Sequence, residues 1–257
     1  MNRKGRLTLF ALAGSGMAAV LVIAFTGLPD FGAYHGVYGR VIDGLGVTLR
    51  HGTDLITALN FDIRGFDTLG EEFILFASVL GVVLILRQLR EEQEEPHQEE
   101  AEEHSFAGAS SALRALSLLV IPSILALGVY IVEHGQITPG GGFQGGVILA
   151  SAPLGAFIAG RYLRMKRIAP QLMIEFGDAL GAAGYALLGL SGLLVAGVFF
   201  KNWLPLGTPG HLLSGGQLDV ASVLVGLEVS GAFLVAWTEF FDQALLIKGR
   251  NGEGGSS

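Results

Sequence analysis

The chain contains no cysteine, and this absence excludes disulfide bonds, thiolate-held iron–sulfur clusters and a thiol nucleophile. Charged residues are also scarce, at 15% of 257 residues, where a soluble protein carries about 25%. Hydrophobic residues make up 51% and are gathered in long runs. The composition therefore predicts an all-α protein that crosses a lipid bilayer several times.

Several catalytic and ligand-binding motifs are missing as well. No Gly-Lys-Ser or Gly-Lys-Thr follows the glycine-rich stretch of the chain, which argues against a phosphate-binding loop. The sequence offers no paired nucleophile and base, no cluster of metal ligands and no inverted repeat. It therefore predicts no enzyme activity, no cofactor, no metal site and no binding of nucleic acid.

Windows of about 20 apolar residues predict six transmembrane helices. They cover Leu7–Leu28, Leu69–Leu89, Leu113–Val132, Phe143–Gly160, Ile174–Phe200 and Leu218–Phe241. With a cytoplasmic N-terminus, twelve of the 16 Lys and Arg residues fall on inside segments and four on outside segments. The positive-inside rule then places both termini in the cytoplasm and the protein in the cell membrane.

An acidic stretch divides the chain. Residues 91–104 hold a run of glutamates around Pro96, which favours a solvated cytoplasmic linker, although His97 and His104 also allow metal binding. The linker separates a two-helix module, residues 1–90, from a four-helix domain, residues 105–250. Residues 251–257 are expected to form a flexible tail.

One carboxyl group lies deep within an apolar run. Glu228 is ten residues into the last run, which is about 15 Å at 1.5 Å per residue, and the hydrocarbon core is about 30 Å thick. Desolvation near the bilayer midplane disfavours the charged carboxylate unless a cation is close. Glu228 is therefore a candidate for a proton or sodium path. The alternative is a protonated glutamate that only hydrogen-bonds a neighbouring helix.

A second acidic pair lies near the predicted cytoplasmic start of the fifth helix. Glu175 and Asp178 are three residues apart and share one helix face. They are compatible with an acidic funnel or with an ordinary interfacial pair close to the basic segment 161–167. Asp219 and Glu239, near helix ends, are expected to be interfacial.

A third acidic group lies at the mouth of the second apolar helix. Asp67 and Glu71, with Glu72 beside them, can share a face there, which makes Asp67 and Glu71 candidates for the ion path. A structural explanation is equally open, because Thr68 and Glu71 have capping-box spacing and Arg64 can pair with Asp67. Before this mouth, apolar residues at near-helical spacing within 55–63 predict an amphipathic segment on the membrane or on a partner.

A polar, glycine-dense stretch lies between two apolar runs. Glu133 and His134 end the third helix, and histidine is the side chain suited to exchanging protons near neutral pH, so proton exchange at the outer surface is one interpretation. Close helix packing is the other, because Gly142, Gly146 and Ala150 recur every four residues. The whole motif is Pro139, Gly140, Gly141, Gly142, Phe143, Gln144, Gly145 and Gly146.

Residues 135–150, read as GQITPGGGFQGGVILA, resemble the signature of the B subunit (MnhB family) of Mrp-type multisubunit sodium/proton antiporters. The resemblance extends over about residues 105–247 and includes Gly226-Leu227-Glu228-Val229. Residues 57–71, with Asp67 and Glu71, are similar to the C-terminal extension of the antiporter's large A subunit. That element also occurs as a small subunit of membrane-bound hydrogenases.

The resemblance implies a fusion of two neighbouring pieces of one complex. The implied function is a membrane subunit of a sodium/proton antiporter, with sodium ions and protons as substrates. Subunits of the A, C, D, E, F and G types are the implied partners, and without the large antiporter body the chain is not expected to transport alone. The alternatives are a subunit of a membrane-bound hydrogenase or related respiratory complex and a purely structural assembly subunit.

Overall fold

A computed structural model describes residues 3–28, 36–91, 110–158 and 170–253. These residues form helices and connecting loops without a strand among them, which confirms the all-α prediction. The helices are α1 (Arg3–Thr26), α2 (Val37–Arg50), α3 (Leu55–Ala58), a π-helical turn (Leu59–Ile63), α4 (Gly65–Glu91), α5 (Ser111–Glu133), α6 (Gly142–Ile158), α7 (Gln171–Ala196) and α8 (Gln217–Glu253).

Helix length and hydropathy fit a multi-pass membrane protein. Among the described residues, four spans of 22 to 27 residues are apolar enough to cross a bilayer, namely Gly65–Leu86, Ser111–Glu133, Gln171–Ala196 and Gln217–Gln243. At 1.5 Å per residue each exceeds the hydrocarbon core of about 30 Å. The shorter apolar helical stretch Phe10–Thr26 lies within the predicted span Leu7–Leu28, and Gly142–Phe157 begins one residue before the predicted span Phe143–Gly160.

The chain divides into two compact units, residues 1–41 and residues 42–257. The first contains α1 and the start of α2, and the second contains the remaining helices. Every residue of the site described below lies in the second unit. Apart from Glu91, the predicted acidic linker lies outside the described residues, as does the chain beyond Glu253.

Helix α8 is the centre of the second unit. It packs against α7, α6 and α4, while α5 and α6 pair with each other. In the apolar window of α8, 50% of the residues are buried, against 11% for α5, so α8 is the most enclosed of the four long apolar spans. A charged group on α8 therefore faces other helices of this chain more than lipid.

Three connecting segments meet at one end of this bundle. The loop 134–141 joins α5 to α6, the loop 197–216 joins α7 to α8, and residues 51–64 lead into α4. His51 Nδ1 lies 2.5 Å from the carbonyl oxygen of Gly207, and the ring of Phe200 covers Gly65. We call residues 134–141 the glycine loop and this side of the bundle the glycine-loop end.

Candidate functional site

Three buried carboxyl groups from three helices meet inside the bundle. Glu72 of α4 is 2% exposed, Asp178 of α7 is 7% exposed and Glu228 of α8 is fully buried. The carboxyl groups of Glu72 and Glu228 lie within hydrogen-bonding reach of each other, and Asp178 is near enough to repel both. We call these three residues the carboxyl trio.

The carboxyl trio has no cationic side chain beside it within the described part of the chain. No described hydrogen-bond donor reaches Glu72 Oε2 or either carboxyl oxygen of Glu228. Two facing carboxyl groups form a hydrogen bond only while one of them carries a proton. Burial of such groups is costly unless they share a proton or bind a cation. The arrangement is thus suited to exchanging protons or cations.

Two glycines allow α7 and α8 to approach closely at the carboxyl trio. A Cβ atom on Gly181 would lie 2.6 Å from Glu228 Cβ, and one on Gly231 would lie 2.9 Å from Asp178 Cβ. Glu228 of α8 therefore faces Gly181, which follows Asp178 by three residues on α7. Asp178 in turn faces Gly231, which follows Glu228 by three residues on α8. This reciprocal spacing, Asp178 with Gly181 and Glu228 with Gly231, brings the two carboxyl-bearing backbones into contact.

A cavity of about 250 Å³ extends from the glycine loop to Glu72, one member of the carboxyl trio. Glu72 lies in its wall and is buried, whereas Glu71 beside it in sequence is exposed. The volume accommodates several water molecules. The lining residues are Ile56, Thr57, Asn60, Phe61, Thr68, Glu71, Glu72, Gly140, Gly141, Phe143, Gln144 and Val225.

The wall of this cavity is built from both halves of the sequence. Three successive carbonyl groups of the glycine loop accept hydrogen bonds from residues 53–57. Thr53 Oγ1 donates to Ile137 O at 2.6 Å, Asp54 N to Gln136 O at 3.1 Å and Thr57 Oγ1 to Gly135 O at 2.6 Å. These bonds hold the segment before α4 against the glycine loop and close one side of the cavity.

Local structure explains why residues 50–64 can dock in this way. Asp54 caps α3, because its Oδ2 accepts a hydrogen bond from Thr57 N at 3.0 Å. Arg50, at the end of α2, forms an ion pair with Asp62 in the π-helical turn. Desolvation lowers the pKa of Arg50 from its ordinary value, which lies so far above neutral pH that the side chain stays charged.

The glycine motif is divided between the cavity and the helix contacts. Gly140, Gly141, Phe143 and Gln144 line the cavity, and Gly141 has φ of +111°, a conformation that favours glycine. Pro139 is exposed beside them.

The remaining glycines of the motif lie where α6 meets its neighbours. A Cβ atom on Gly142 would lie 2.7 Å from Gly226 N, and one on Gly146 would lie 2.8 Å from Val229 Cβ, both on α8. Gly145 faces α5, where a Cβ atom would lie 2.9 Å from Gly128 O. Here glycine is required by the close approach of two backbones.

Other residues singled out in the sequence lie apart from the carboxyl trio. Glu133 is exposed, and His134 ends α5 with its ring stacked on Tyr130 at 4.0 Å. Asp67 is exposed and accepts a hydrogen bond from Arg64 Nε at 2.5 Å. None of these residues lines the cavity.

The structure separates the predicted pair Glu175 and Asp178. Asp178 is buried against Gly231 of α8, whereas Glu175 accepts a hydrogen bond from Gln171 Nε2 at 2.9 Å. Glu175 also lines a much smaller cavity farther from the glycine loop, which it shares with Glu239. Asp219 and Glu239, expected to be interfacial, are both buried within the described residues.

The capping alternative at the mouth of α4 does not hold. Thr68 and Glu71 have the spacing of a capping box, but α4 begins three residues before Thr68, at Gly65. The Thr68 hydroxyl instead donates to Asn60 O at 2.8 Å and joins α4 to the π-helical turn. The earlier start carries Glu72 two turns into the helix, where it meets Glu228.

The sequence alone did not single out Glu72 over Glu71. A usable signal existed in the two acidic-x-x-Gly patterns, Asp178 to Gly181 and Glu228 to Gly231, which mark the helix contact that encloses the carboxyl trio. No local pattern shows that α4 adds its own carboxyl group, because this depends on packing between distant parts of the chain.

Comparison with known proteins shows what this chain is similar to. Residues 112–235 match the family described as a domain related to the MnhB subunit of Na+/H+ antiporters. An uncharacterized protein of Methanocaldococcus jannaschii is 29% identical over 204 residues, covering 70% of this chain and 76% of its own. The likeness to the MnhB subunit therefore rests on residues 112–235.

Two solved structures share the fold. One chain of the membrane-bound sulfane sulfur reductase, an archaeal respiratory membrane complex, superposes with a TM-score of 0.72 at 26% identity, covering 91% of this chain and 97% of that one. A chain of the Mrp complex from Dietzia sp. DQ12-45-1b gives a TM-score of 0.67 at 24% identity. The match covers 93% of this chain and 26% of the Mrp chain, so this chain spans about a quarter of it.

Proposed function

We propose that this chain, with its MnhB-family domain, is a membrane subunit of a multisubunit monovalent cation/proton antiporter, and that the carboxyl trio lines part of the ion path. The observation that carries the proposal is the meeting of Glu72, Asp178 and Glu228 inside the bundle, with Glu72 in the wall of a cavity of about 250 Å³. Buried acidic groups without a cationic partner in the described residues are suited to bind and release protons or sodium ions.

The proposed path begins at the glycine loop. Exposed Glu71 stands in the cavity wall, Glu72 lies deeper and Glu228 follows within hydrogen-bonding reach. Asp178 continues the series toward the opposite end, where Glu175 and Glu239 line the small cavity. The role is transport of ions and not catalysis.

The partners we propose are the A, C, D, E, F and G types of antiporter subunit. Support comes from the two structural relatives, which both belong to multisubunit membrane complexes. We further propose that both termini face the cytoplasm, which the distribution of Lys and Arg supports. The glycine-loop end then faces the outside.

A second assignment is favoured by a specific observation. The match to the sulfane sulfur reductase chain includes 91% of this chain and 97% of that chain. It is therefore more complete than the match to the longer Mrp chain. This supports, as the alternative, a place in the antiporter-like module of a respiratory complex. Copurification of the tagged chain from native membranes distinguishes the two assignments. Redox subunits should copurify with it if it belongs to a respiratory complex and should be missing if it belongs to an antiporter.

Neutralising Glu228 tests the ion path. Glu228→Gln keeps the shape of the side chain but removes its exchangeable proton, so we expect the assembled complex to lose most cation-dependent proton flux in vesicles. Asp43→Asn, on the exposed surface of α2, is the matched control and should leave the flux unchanged. Unchanged flux and unchanged apparent sodium affinity in Glu228→Gln would assign this residue a structural role only.

A further inference from the structure

On the side facing away from the glycine loop, the carboxyl trio borders a layer of aliphatic side chains. We call it the aliphatic layer; it consists of Val79, Val83, Ile174, Ala232 and Val235, all buried and in mutual contact. These residues come from α4, α7 and α8, the same three helices that carry the three carboxyl groups. Acidic and apolar groups are therefore stacked along one bundle axis.

Helix periodicity shows that the stacking is in register. On α8, Val235 lies seven residues after Glu228 and Glu239 lies eleven residues after it, so all three share one face. On α4, Val79 likewise lies seven residues after Glu72. On α7 the chain runs the other way, and Ile174 precedes Asp178 by one turn.

The aliphatic layer separates two cavities of very different size. The cavity on the side of the glycine loop has about 250 Å³, while that on the far side, beside Glu175 and Glu239, has only about 10 Å³. Ile174 and Val235 line the small cavity and belong to the aliphatic layer. The large cavity therefore reaches the carboxyl trio at Glu72, from the glycine-loop end, whereas no residue of the trio lines the small cavity on the opposite side.

The separation is too long for direct proton transfer. Seven residues of helix correspond to about 10 Å and eleven to about 16 Å, whereas a proton moves between groups about 3 Å apart. A proton or cation leaving Glu228 toward Glu239 needs a chain of water through the aliphatic layer. Narrow apolar constrictions exclude such water and conduct only when it enters.

We infer that the aliphatic layer is a hydrophobic gate that keeps the carboxyl trio in contact with one side of the membrane at a time. The inference rests on the proposed ion path and adds its regulation. Without such a gate, a continuous relay of carboxyl groups would let protons leak without exchange for a cation. Opening requires only that α7 or α8 shift enough for water to pass Ile174 and Val235.

A polar substitution of the same shape tests the gate. Val235→Thr replaces one methyl group by a hydroxyl group, and Val79→Thr makes the same change on α4. In vesicles that hold the purified complex at clamped membrane potential, we expect passive proton flux to rise up to about tenfold, the change that one extra hydrogen bond to water corresponds to. Val195→Thr, on the exposed face of α7, is the matched control.

A double variant links the leak to the ion path. Glu228→Gln added to Val235→Thr should return the passive flux to the wild-type value, because the leak then lacks its proton carrier. The inference is overturned if neither valine variant leaks more than Val195→Thr in complexes of normal subunit composition. It is also overturned if the leak persists in the double variant. The antiport test of Glu228→Gln measures cation-dependent flux and does not depend on these leak measurements. Failure of the gate can therefore be distinguished from failure of the proposed function.

Discussion

The contact between α7 and α8 at Gly181 gives a prediction whose size follows from the geometry. A Cβ atom on Gly181 would lie 2.5 Å from Glu228 N and 2.6 Å from Glu228 Cβ. Ordinary carbon–carbon contacts are about 3.5 to 4 Å. Gly181→Ala therefore requires the two helices to separate by roughly 1 Å, since the neighbouring atoms belong mainly to backbone and cannot rotate away.

Overpacking of this kind costs about 1–3 kcal/mol, and a clash with backbone belongs at the upper end. Alanine recovers about 1 kcal/mol through its higher helix propensity. The net loss of about 2 kcal/mol shifts the equilibrium between packed and separated helices about 30-fold. Gly81→Ala on α4 is the matched control, because beyond its chain neighbours and the nearby backbone of its own helix no described atom lies within 4 Å of its Cβ position.

The assay measures the heat resistance of the assembled complex in mild detergent. The readout is the fraction of this chain that still coelutes with its partners after heating. We expect Gly181→Ala to dissociate at lower temperature than wild type and to lose antiport, because Glu228 and Asp178 are moved apart. Gly81→Ala should match or exceed wild type. Equal heat resistance and equal flux in both variants would refute the role assigned to this glycine contact.

Two further predictions concern the segment that docks on the glycine loop. Thr57→Val removes the donor to Gly135 O in a buried position and should cost about 1–3 kcal/mol, seen as lower heat resistance. Thr57→Ser keeps the hydroxyl group and should retain most of the heat resistance. Arg50→Ala leaves the buried Asp62 without its partner and should cost about 3 kcal/mol, whereas Arg64→Ala, which breaks an exposed pair, should cost under about 1 kcal/mol in the same assay. Equal losses in the two arginine variants would contradict the burial of the first pair.

Much of the fold was predictable because hydropathy and length decide where a chain crosses a bilayer. The predicted window Leu113–Val132 lies within α5, Ser111–Glu133, and the window Leu69–Leu89 lies within α4. The window begins four residues after the observed start of α4, because hydropathy marks only the apolar part of a helix. The first residues of α4 follow closely on the π-helical turn Leu59–Ile63 and include the polar Asp67 and Thr68.

The site was less predictable, because its parts are distant in sequence. Glu228 stood out by depth in an apolar run, a local property. Glu72 did not, since its burial depends on α8 packing against α4, and Asp178 lies near a helix end where an interfacial position is common. The glycine motif was understood as a packing surface or an ion site, and the structure divides it between a cavity wall and two helix contacts.

A double-mutant cycle on Glu72 and Glu228 tests the central claim most directly. Cation-dependent proton flux is measured in vesicles that hold the intact complex with Glu72→Gln, Glu228→Gln or both. If the two carboxyl groups serve one relay, the double variant should be no slower than the slower single variant, because groups acting as a unit are not additive. Losses that multiply, or a double variant as active as wild type, would contradict the claim.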